Sequence, residues 1–264
     1  MKLGLIISND WELFGDGSGD YFEVQHRPLE ALLQTVEDHG AKLTVMAEVA
    51  QQWAHQRISP HAPWAREVVE AWESILRVKD VSTRAEAFIE SQKPHYIAVV
   101  NAAKLVKMRG DKELRQSIQA ADIVGADGVP VVWASWLLGS PLPGRVNGTD
   151  LMMELLEKGD QHGYRIFFFG ARAEVLDRVL DVVRTDYPGV KMAGSRHGYF
   201  TKGEEWDIVR QIQASHADIL FITFGTPKKE LWIKDYLQAM QVPVVHGVGG
   251  SFDILAGVIP RAPQ

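Results

Sequence analysis

The stretch YRIFFFGARAEVLDRVLDVVRTD, residues 164–186, decides the fold class of this 264-residue chain. Its first part is a short, continuous apolar run ending at Gly170, which predicts a strand buried on both faces. The second part repeats apolar residues at helical spacing, so a helix follows the strand directly. The same pattern returns in ADILFITFGTPKKELWIKDYLQAM, residues 217–240. This alternation predicts a parallel sheet with helices on both faces.

The alternation extends over residues 78–264. Further strands are predicted at HYIAVV, DIVGA, VKMAGS and VPVVHGVGG, with helical patterns between them. One such pattern, residues 102–121, is interrupted near Gly110. Another, residues 129–139, precedes a turn-rich loop. After this loop, Thr149 is predicted to cap a helix. We therefore predict an α/β domain with a mostly parallel, Rossmann-like sheet over residues 78–264.

Residues 1–77 have a different character. A strand, a polar loop, a helix and a second strand form one β-α-β unit, followed by a Trp-rich connector. This segment holds 12 acidic and 6 basic residues and therefore carries the whole net charge of −6. We predict that it forms an extra N-terminal unit beside the main domain.

Composition excludes several function classes. With 46% hydrophobic and 23% charged residues, the chain is typical of a globular protein. No stretch reaches the roughly 18–20 apolar residues that span a bilayer, and acidic residues follow the start too early for a secretory signal, so we expect a cytoplasmic protein. Without cysteine there is no disulfide or thiolate zinc site. The histidines lack metal-ligand spacing, and no basic stripe favours nucleic acid.

In parallel sheets, ligands bind beyond the carboxyl ends of the strands. Polar or glycine-rich residues follow five predicted strands of the main domain. These are Asn101, Asp127-Gly128, Gly170–Arg172, Gly225–Glu230 and Gly247–Ser251.

Five segments that contain these residues carry a family resemblance. The block VVNAAKLVKMRGDKELRQSIQAADIVGADGVPVVWASWLLGSPLPGRVNGTDLM, then RIFFFGARAEV, HGYF, ADILFITFGTPKKELWI and VGGSFDILAGVIPRAP, resembles the WecG/TagA/CpsF glycosyltransferases over about residues 79–264. The resemblance implies an inverting enzyme that needs neither metal nor cofactor. It would move N-acetylmannosamine, its uronic acid or glucose from UDP to a sugar on an undecaprenyl-type pyrophosphate. It also implies work at the inner face of the plasma membrane, and a homo-oligomer is left open.

The resemblance assigns roles to three residues, each with an alternative explanation. Asp127 resembles the family's general base, which accepts the proton of the attacking hydroxyl, although Asp-Gly is also a common turn pair. Asn101 would orient a sugar, or it could cap the next helix. Arg145 lies in a proline- and glycine-rich loop and would contact phosphate or sugar, or it could be a surface arginine.

Further candidates would bind the substrates. The two lysines before Glu230 open a helix with the unfavourable sign of charge, so an anion such as a diphosphate is expected there; a solvated lysine pair is the alternative. Glycines would admit backbone N–H groups or form simple turns, and Asp253 would bind a hydroxyl or cap its helix. The complete set is Gly128, Asn147, Asp150, Gly170, Arg172, Gly225, Thr226, Pro227, Lys228, Lys229, Glu230, Gly249, Gly250 and Asp253.

Two features depart from the family. Residues 1–77 resemble the opening of a polysaccharide deacetylase-like chain, with Asp10 at a metal-binding position but no His-x-x-x-His pair, so deacetylase activity is not expected. The sequence also ends at Gln264, where the family continues with an aromatic and arginine-rich tail associated with membrane attachment. Two alternatives to the main interpretation are a UDP-glucose-dependent glucosyltransferase and a non-catalytic UDP-sugar-binding remnant.

Overall fold

A computed structural model of the protein describes residues 5–6, 12–13, 78–128, 131–132, 142 and 144–261. Two short antiparallel strands, β1 (Leu5–Ile6) and β2 (Glu12–Leu13), form a pair of their own. A two-residue strand is too short to show a periodic pattern, so the sequence assigns Glu12–Leu13 to the polar loop that follows the first predicted strand. The predicted helix and second strand of residues 1–77 lie outside the described residues.

The main domain contains a six-stranded sheet in the order β4-β3-β8-β7-β5-β6, and every neighbouring pair is parallel. Its strands are β3 (His95–Val100), β4 (Ile123–Ala126), β5 (Arg165–Gly170), β6 (Lys191–Arg196), β7 (Ile219–Thr223) and β8 (Val244–Gly247). The helices are α1 (Val78–Ser91), α2 (Ala102–Gly110), α3 (Lys112–Gln119), α4 (Gly148–His162), α5 (Ala173–Asp186), α6 (Glu205–Ala214), α7 (Lys228–Met240) and α8 (Ser251–Leu255), with a 3-10 turn at Lys202–Glu204.

The sheet has a hydrophobic core on each face. Alternate side chains of β5 enter different cores. Phe167 and Phe169 pack on the face covered by α2, α3, α6 and α7. Phe168 packs on the opposite face, which is covered by α1, α4, α5 and α8. All three rings are buried. Burial on both faces explains the continuous apolar run of this strand, and it confirms the predicted Rossmann-like architecture.

The helix boundaries agree with the pattern except at the starts of α1 and α4. The pattern predicts the first helix from Thr83, whereas α1 begins at Val78. Asp111 interrupts the predicted helix near Gly110: its backbone N–H closes α2 and its carboxylate caps α3. The prediction that Thr149 caps α4 is wrong. Asn147 is the N-cap, and it accepts from the backbone N–H groups of Thr149 and Asp150. The predicted helix at residues 129–139 lies mostly outside the described residues, with Val131 and Val132 in helical conformation.

One crevice in this sheet is suited to bind a ligand. Adjacent strands β3 and β8 lead into helices on opposite faces, since α2 packs in one core and α8 in the other. The loops after these strands therefore separate and leave an opening at their carboxyl ends, the common ligand position in α/β sheets. None of the described helices is long and apolar enough to cross a membrane.

Candidate active site

A cavity of about 410 Å³ occupies this crevice. Its walls come from the ends of β3, β4 and β8 and from the first residues of α4 and α8. Of the residues predicted from the sequence, nine line it: Asn101, Asp127, Arg145, Asn147, Asp150, Thr226, Lys229, Gly249 and Gly250.

Asp127 stands at the end of β4, against the loop that precedes α4. Its backbone N–H donates to Val100 O at 2.9 Å, and its Oδ1 accepts from Asn147 Nδ2 at 3.2 Å. The loop approaches closely because Gly125 has no side chain: a Cβ there would lie 3.0 Å from Cβ of Val146. A half-buried carboxylate is thus held beside an amide at the cavity wall.

Asn101 and Asn147 each combine a helix cap with a place in the cavity. The side chain of Asn101 accepts from the backbone N–H of Lys104 at 2.9 Å and caps α2. That of Asn147 accepts from Thr149 N at 2.8 Å and Asp150 N at 3.3 Å. The capping alternative for Asn101 is therefore correct and compatible with a substrate role, because the same residue lines the cavity. The positive ends of α2 and α4 both border the opening, which favours a bound anion.

Arg145 and Asp150 bring opposite charges to the rim. Both residues are partly buried and line the cavity. The carboxylate of Asp150 pairs with the guanidinium of Arg261, another cavity residue. This pairing partly neutralises Asp150, so it does not oppose an anion as strongly as an isolated carboxylate would.

A buried polar layer supports the cavity from below. His246 of β8 is fully buried, with Nδ1 3.2 Å from Ile97 O and Nε2 3.3 Å from Gly148 O. Burial lowers its pKa to about 4, so the neutral ring donates to one carbonyl at a time. Thr149 Oγ1 and Ser251 Oγ are 2.9 Å apart and tie the start of α4 to that of α8. The sequence left His246 as either a surface or a hydrogen-bonded residue, and the structure shows that it is buried and hydrogen-bonded.

A second buried group joins α2 to α7. Glu230 is fully buried, and its Oε1 lies 2.9 Å from Lys104 Nζ, 3.5 Å from Lys229 Nζ and 3.2 Å from Thr226 Oγ1. Glu230 thus supplies one negative charge beside the first turn of α7 from within the protein. The two lysines and Thr226 line the cavity, whereas Glu230 stands behind them.

The ionisation of this group follows from burial and charge. Burial and the nearby ammonium of Lys104 lower the pKa of Lys229 to about 8, although Glu230 opposes the shift. Burial alone would raise the pKa of Glu230, but Lys104 and Lys229 outweigh it and hold that pKa below its usual range. Glu230 is therefore ionised at neutral pH.

Eight of the predicted residues are not among the described residues that line the cavity: Gly128, Gly170, Arg172, Gly225, Pro227, Lys228, Glu230 and Asp253. Gly170 ends β5 and Arg172 follows it, and β7 separates β5 from β8. A Cβ on Gly170 would lie 2.2 Å from Thr223 O, so this glycine is required for strand packing. Lys228 is exposed, with Nζ 4.0 Å from the centroid of the Phe200 ring. Asp253 does not cap α8, whose N-cap is Gly250.

Lys104 and Arg261 line the cavity but were not singled out from the sequence. Lys104 reaches the site from the first turn of α2, and Arg261 reaches it from the end of the described chain. Gly247 lies under Lys229, since a Cβ there would be 2.8 Å from Lys229 Cε. Lys104 follows Asn101 by three residues, and this spacing at a helix start was the signal available for it.

Taken together, the cavity offers two carboxylates, two side-chain amides and several cations at one opening. A carboxylate can accept a proton from a hydroxyl group, amides can hold sugar hydroxyls, and cations with helix N-termini can hold phosphate. These are the groups required for transfer of a sugar from a nucleoside diphosphate.

Comparison with known proteins gives a consistent result. The profile described as "Glycosyl transferase WecG/TagA/CpsF family" matches residues 67–264. An N-acetylglucosaminyldiphosphoundecaprenol N-acetyl-beta-D-mannosaminyltransferase of Bacillus spizizenii is 33% identical over 184 residues, which are 70% of this chain and 71% of that protein. An enzyme of the same name from Bacillus subtilis (strain 168) is 29% identical over 200 residues, covering 73% of this chain and 77% of its own.

Proposed function

Because the chain belongs to the WecG/TagA/CpsF family of glycosyltransferases, we propose that it transfers N-acetylmannosamine, or a related hexose, from a UDP-sugar to a sugar on undecaprenyl pyrophosphate. One observation carries the proposal: three separate segments, which contribute Asn101, Asp127 and the pair Arg145 and Asn147, line the same cavity. The names of the two relatives support the choice of sugar and acceptor.

The reaction in this proposal is a single displacement with inversion. Asp127 accepts the proton of the acceptor hydroxyl while that oxygen bonds to the anomeric carbon. The bond from the anomeric carbon to the phosphate oxygen breaks, and UDP leaves with the electron pair. Asn147 holds Asp127 by the 3.2 Å hydrogen bond, and Asn101 orients a sugar hydroxyl.

The leaving diphosphate gains charge as the bond breaks. Arg145 on the cavity rim and the N-termini of α2 and α4 favour that charge, because fixed donors and dipoles need no reorganisation during the reaction. Such groups can replace a divalent cation, so we propose that transfer continues in the presence of EDTA. The lipid-linked acceptor places the reaction at a membrane surface, which we propose to be the inner face of the plasma membrane.

The test uses UDP-N-acetylmannosamine and a short-chain lipid-pyrophosphate-N-acetylglucosamine, with EDTA present. We expect UDP release by the protein, a β-linked product in its NMR spectrum, and loss of release in Asp127→Asn by about 100-fold or more. UDP binding by that variant should remain, since the substitution changes the base and not the phosphate contacts.

Other outcomes separate the alternatives. Release from UDP-glucose and not from UDP-N-acetylmannosamine would indicate a glucosyltransferase. UDP-sugar binding without transfer from either donor would indicate a non-catalytic binding protein. Full activity of Asp127→Asn would exclude Asp127 as the base.

A further inference from the structure

Beside the cavity lies a cluster of charged groups that have no role in the reaction described above. Two ammonium groups, those of Lys104 and Lys229, contact one oxygen of the Glu230 carboxylate, at 2.9 and 3.5 Å. Within this trio two positive charges meet one negative charge. Because Glu230 lies behind the lysines and both lysines line the cavity, the excess positive charge faces the opening.

The three side chains are held in place from several directions. Lys104 Nζ also donates to Val99 O at 2.5 Å, at the end of β3. The stem of Lys229 runs over Gly247, where a Cβ would come within 2.8 Å of Cε. Thr226 Oγ1 donates to the same Glu230 oxygen at 3.2 Å. The lysines are thus ordered by packing and hydrogen bonds, unlike a solvated pair on a helix surface.

Burying a cationic pair is unfavourable unless other groups compensate its charge. Here Glu230 compensates one charge and leaves the other facing the cavity. An anionic ligand would complete the compensation, and a diphosphate offers several oxygens to two neighbouring ammonium groups. The N-termini of α2 and α4 border the same cavity and favour the same sign of ligand charge.

We propose that Lys104 and Lys229 together bind the diphosphate of the nucleotide, and that Glu230 is a positioning residue that keeps the two ammonium groups side by side. This inference rests on the proposed function and adds Lys104 and Glu230 to its residues. It assigns to Lys229 a charge contact with the diphosphate.

The proposal predicts a pH dependence that can be traced to Lys229. The charged groups around it are Lys104 from α2, Glu230 from α7 and His246 from β8, with Tyr96 of β3 near Glu230. His246, with a pKa of about 4, is neutral in the relevant range, and burial followed by the charge of Glu230 raises the pKa of Tyr96 well above its usual value. Lys229, whose pKa is about 8, therefore loses its proton between pH 7.5 and pH 9.

The experiment measures UDP binding by calorimetry from pH 7.5 to pH 9. For the wild-type protein we expect affinity to fall above about pH 8, because only protonated Lys229 attracts the diphosphate. Lys229→Gln should bind about 10- to 100-fold more weakly at pH 7.5 and show no such fall. Lys229→Arg should keep the affinity within about threefold and stay flat to pH 9, since arginine does not titrate there.

Two further variants test the positioning role. In Glu230→Gln the ammonium groups repel each other without compensation, so the fall in affinity should move to lower pH. Lys104→Gln removes one ammonium group from the diphosphate, so UDP affinity should drop at every pH. It also removes the repulsion on Lys229, so the decrease in UDP affinity should begin at a higher pH. A loss of packing alone would not shift the profile in opposite directions. Lys228→Gln removes the same charge one residue away, on the Phe200 side, and should bind UDP as the wild type does.

The outcomes are distinguishable. The proposal is overturned if Lys229→Gln binds UDP like the wild type, if it retains the fall above pH 8, or if Lys228→Gln weakens binding as much. If Glu230→Gln fails to fold, as thermal melting would show, the UDP affinities of the Lys229 variants still test the proposal. If the wild type transfers sugar but these variants bind normally, this inference alone fails; if the wild type neither binds UDP nor transfers sugar, the proposed function fails first.

Discussion

Asn147→Ala is expected to reduce both stability and activity, by separate routes. The amide oxygen of Asn147 caps α4 through the N–H groups of Thr149 at 2.8 Å and Asp150 at 3.3 Å. Loss of such a cap costs about 0.5–2 kcal/mol of unfolding free energy. For a domain of this size, each kcal/mol lowers Tm by about 2–4 °C.

The effect on activity comes from the other end of the same amide. Nδ2 of Asn147 donates to Asp127 Oδ1 at 3.2 Å. A hydrogen bond to a charged group contributes about 1.5–3 kcal/mol. If this bond orients the base in the transition state, its loss lowers kcat by about 10- to 150-fold.

Asn147→Ser separates the two effects. Serine is also a good N-cap, so the Tm of this variant should be near that of the wild type. Its side chain is too short to replace the amide donor at Asp127, and kcat should fall as in Asn147→Ala. Urea unfolding and UDP release under saturating substrates measure the two quantities. If Asn147→Ala loses stability but keeps kcat, the hydrogen bond does not orient a base and the reasoning is wrong.

Further predictions concern Gly170, His246 and Asp111. Gly170→Ala should lower the unfolding free energy by at least about 2 kcal/mol in urea, because φ is 128° there and a Cβ would lie 2.2 Å from Thr223 O. The pKa of His246 is about 4 in the folded protein and about 6.5 in the unfolded chain. The free energy of unfolding should therefore fall by up to about 3 kcal/mol as the pH drops from 6.5 towards 4. Urea unfolding at pH 7 and at pH 4.5 should show this difference, and His246→Gln should reduce it. Asp111→Ala removes the cap of α3 and should cost about 1 kcal/mol without changing UDP release.

Local pattern was sufficient for most of the secondary structure. The apolar runs around Phe168 and Phe221 gave β5 and β7 because strands covered on both faces need apolar residues at every position. The interruption near Gly110 was visible because Asp111 is a good N-cap. The start of α4 was misplaced, since Asn147 and Thr149 are both good N-cap residues and the pattern alone did not separate them.

The sequence by itself determined the fold class and six of the nine predicted cavity residues, because ligands in parallel sheets bind where strands end. The other three, Arg145, Asn147 and Asp150, came from the family resemblance. Only the tertiary structure decided which strand ends meet. Strand β3 pairs with β8 although almost the whole domain lies between them in the chain, and this pairing brings Lys104 to Lys229 while leaving Arg172 elsewhere. Strand order follows from how whole helices and strands pack, which no local pattern encodes. For the same reason, the burial that lowers the pKa of Lys229 could be read only from the folded chain.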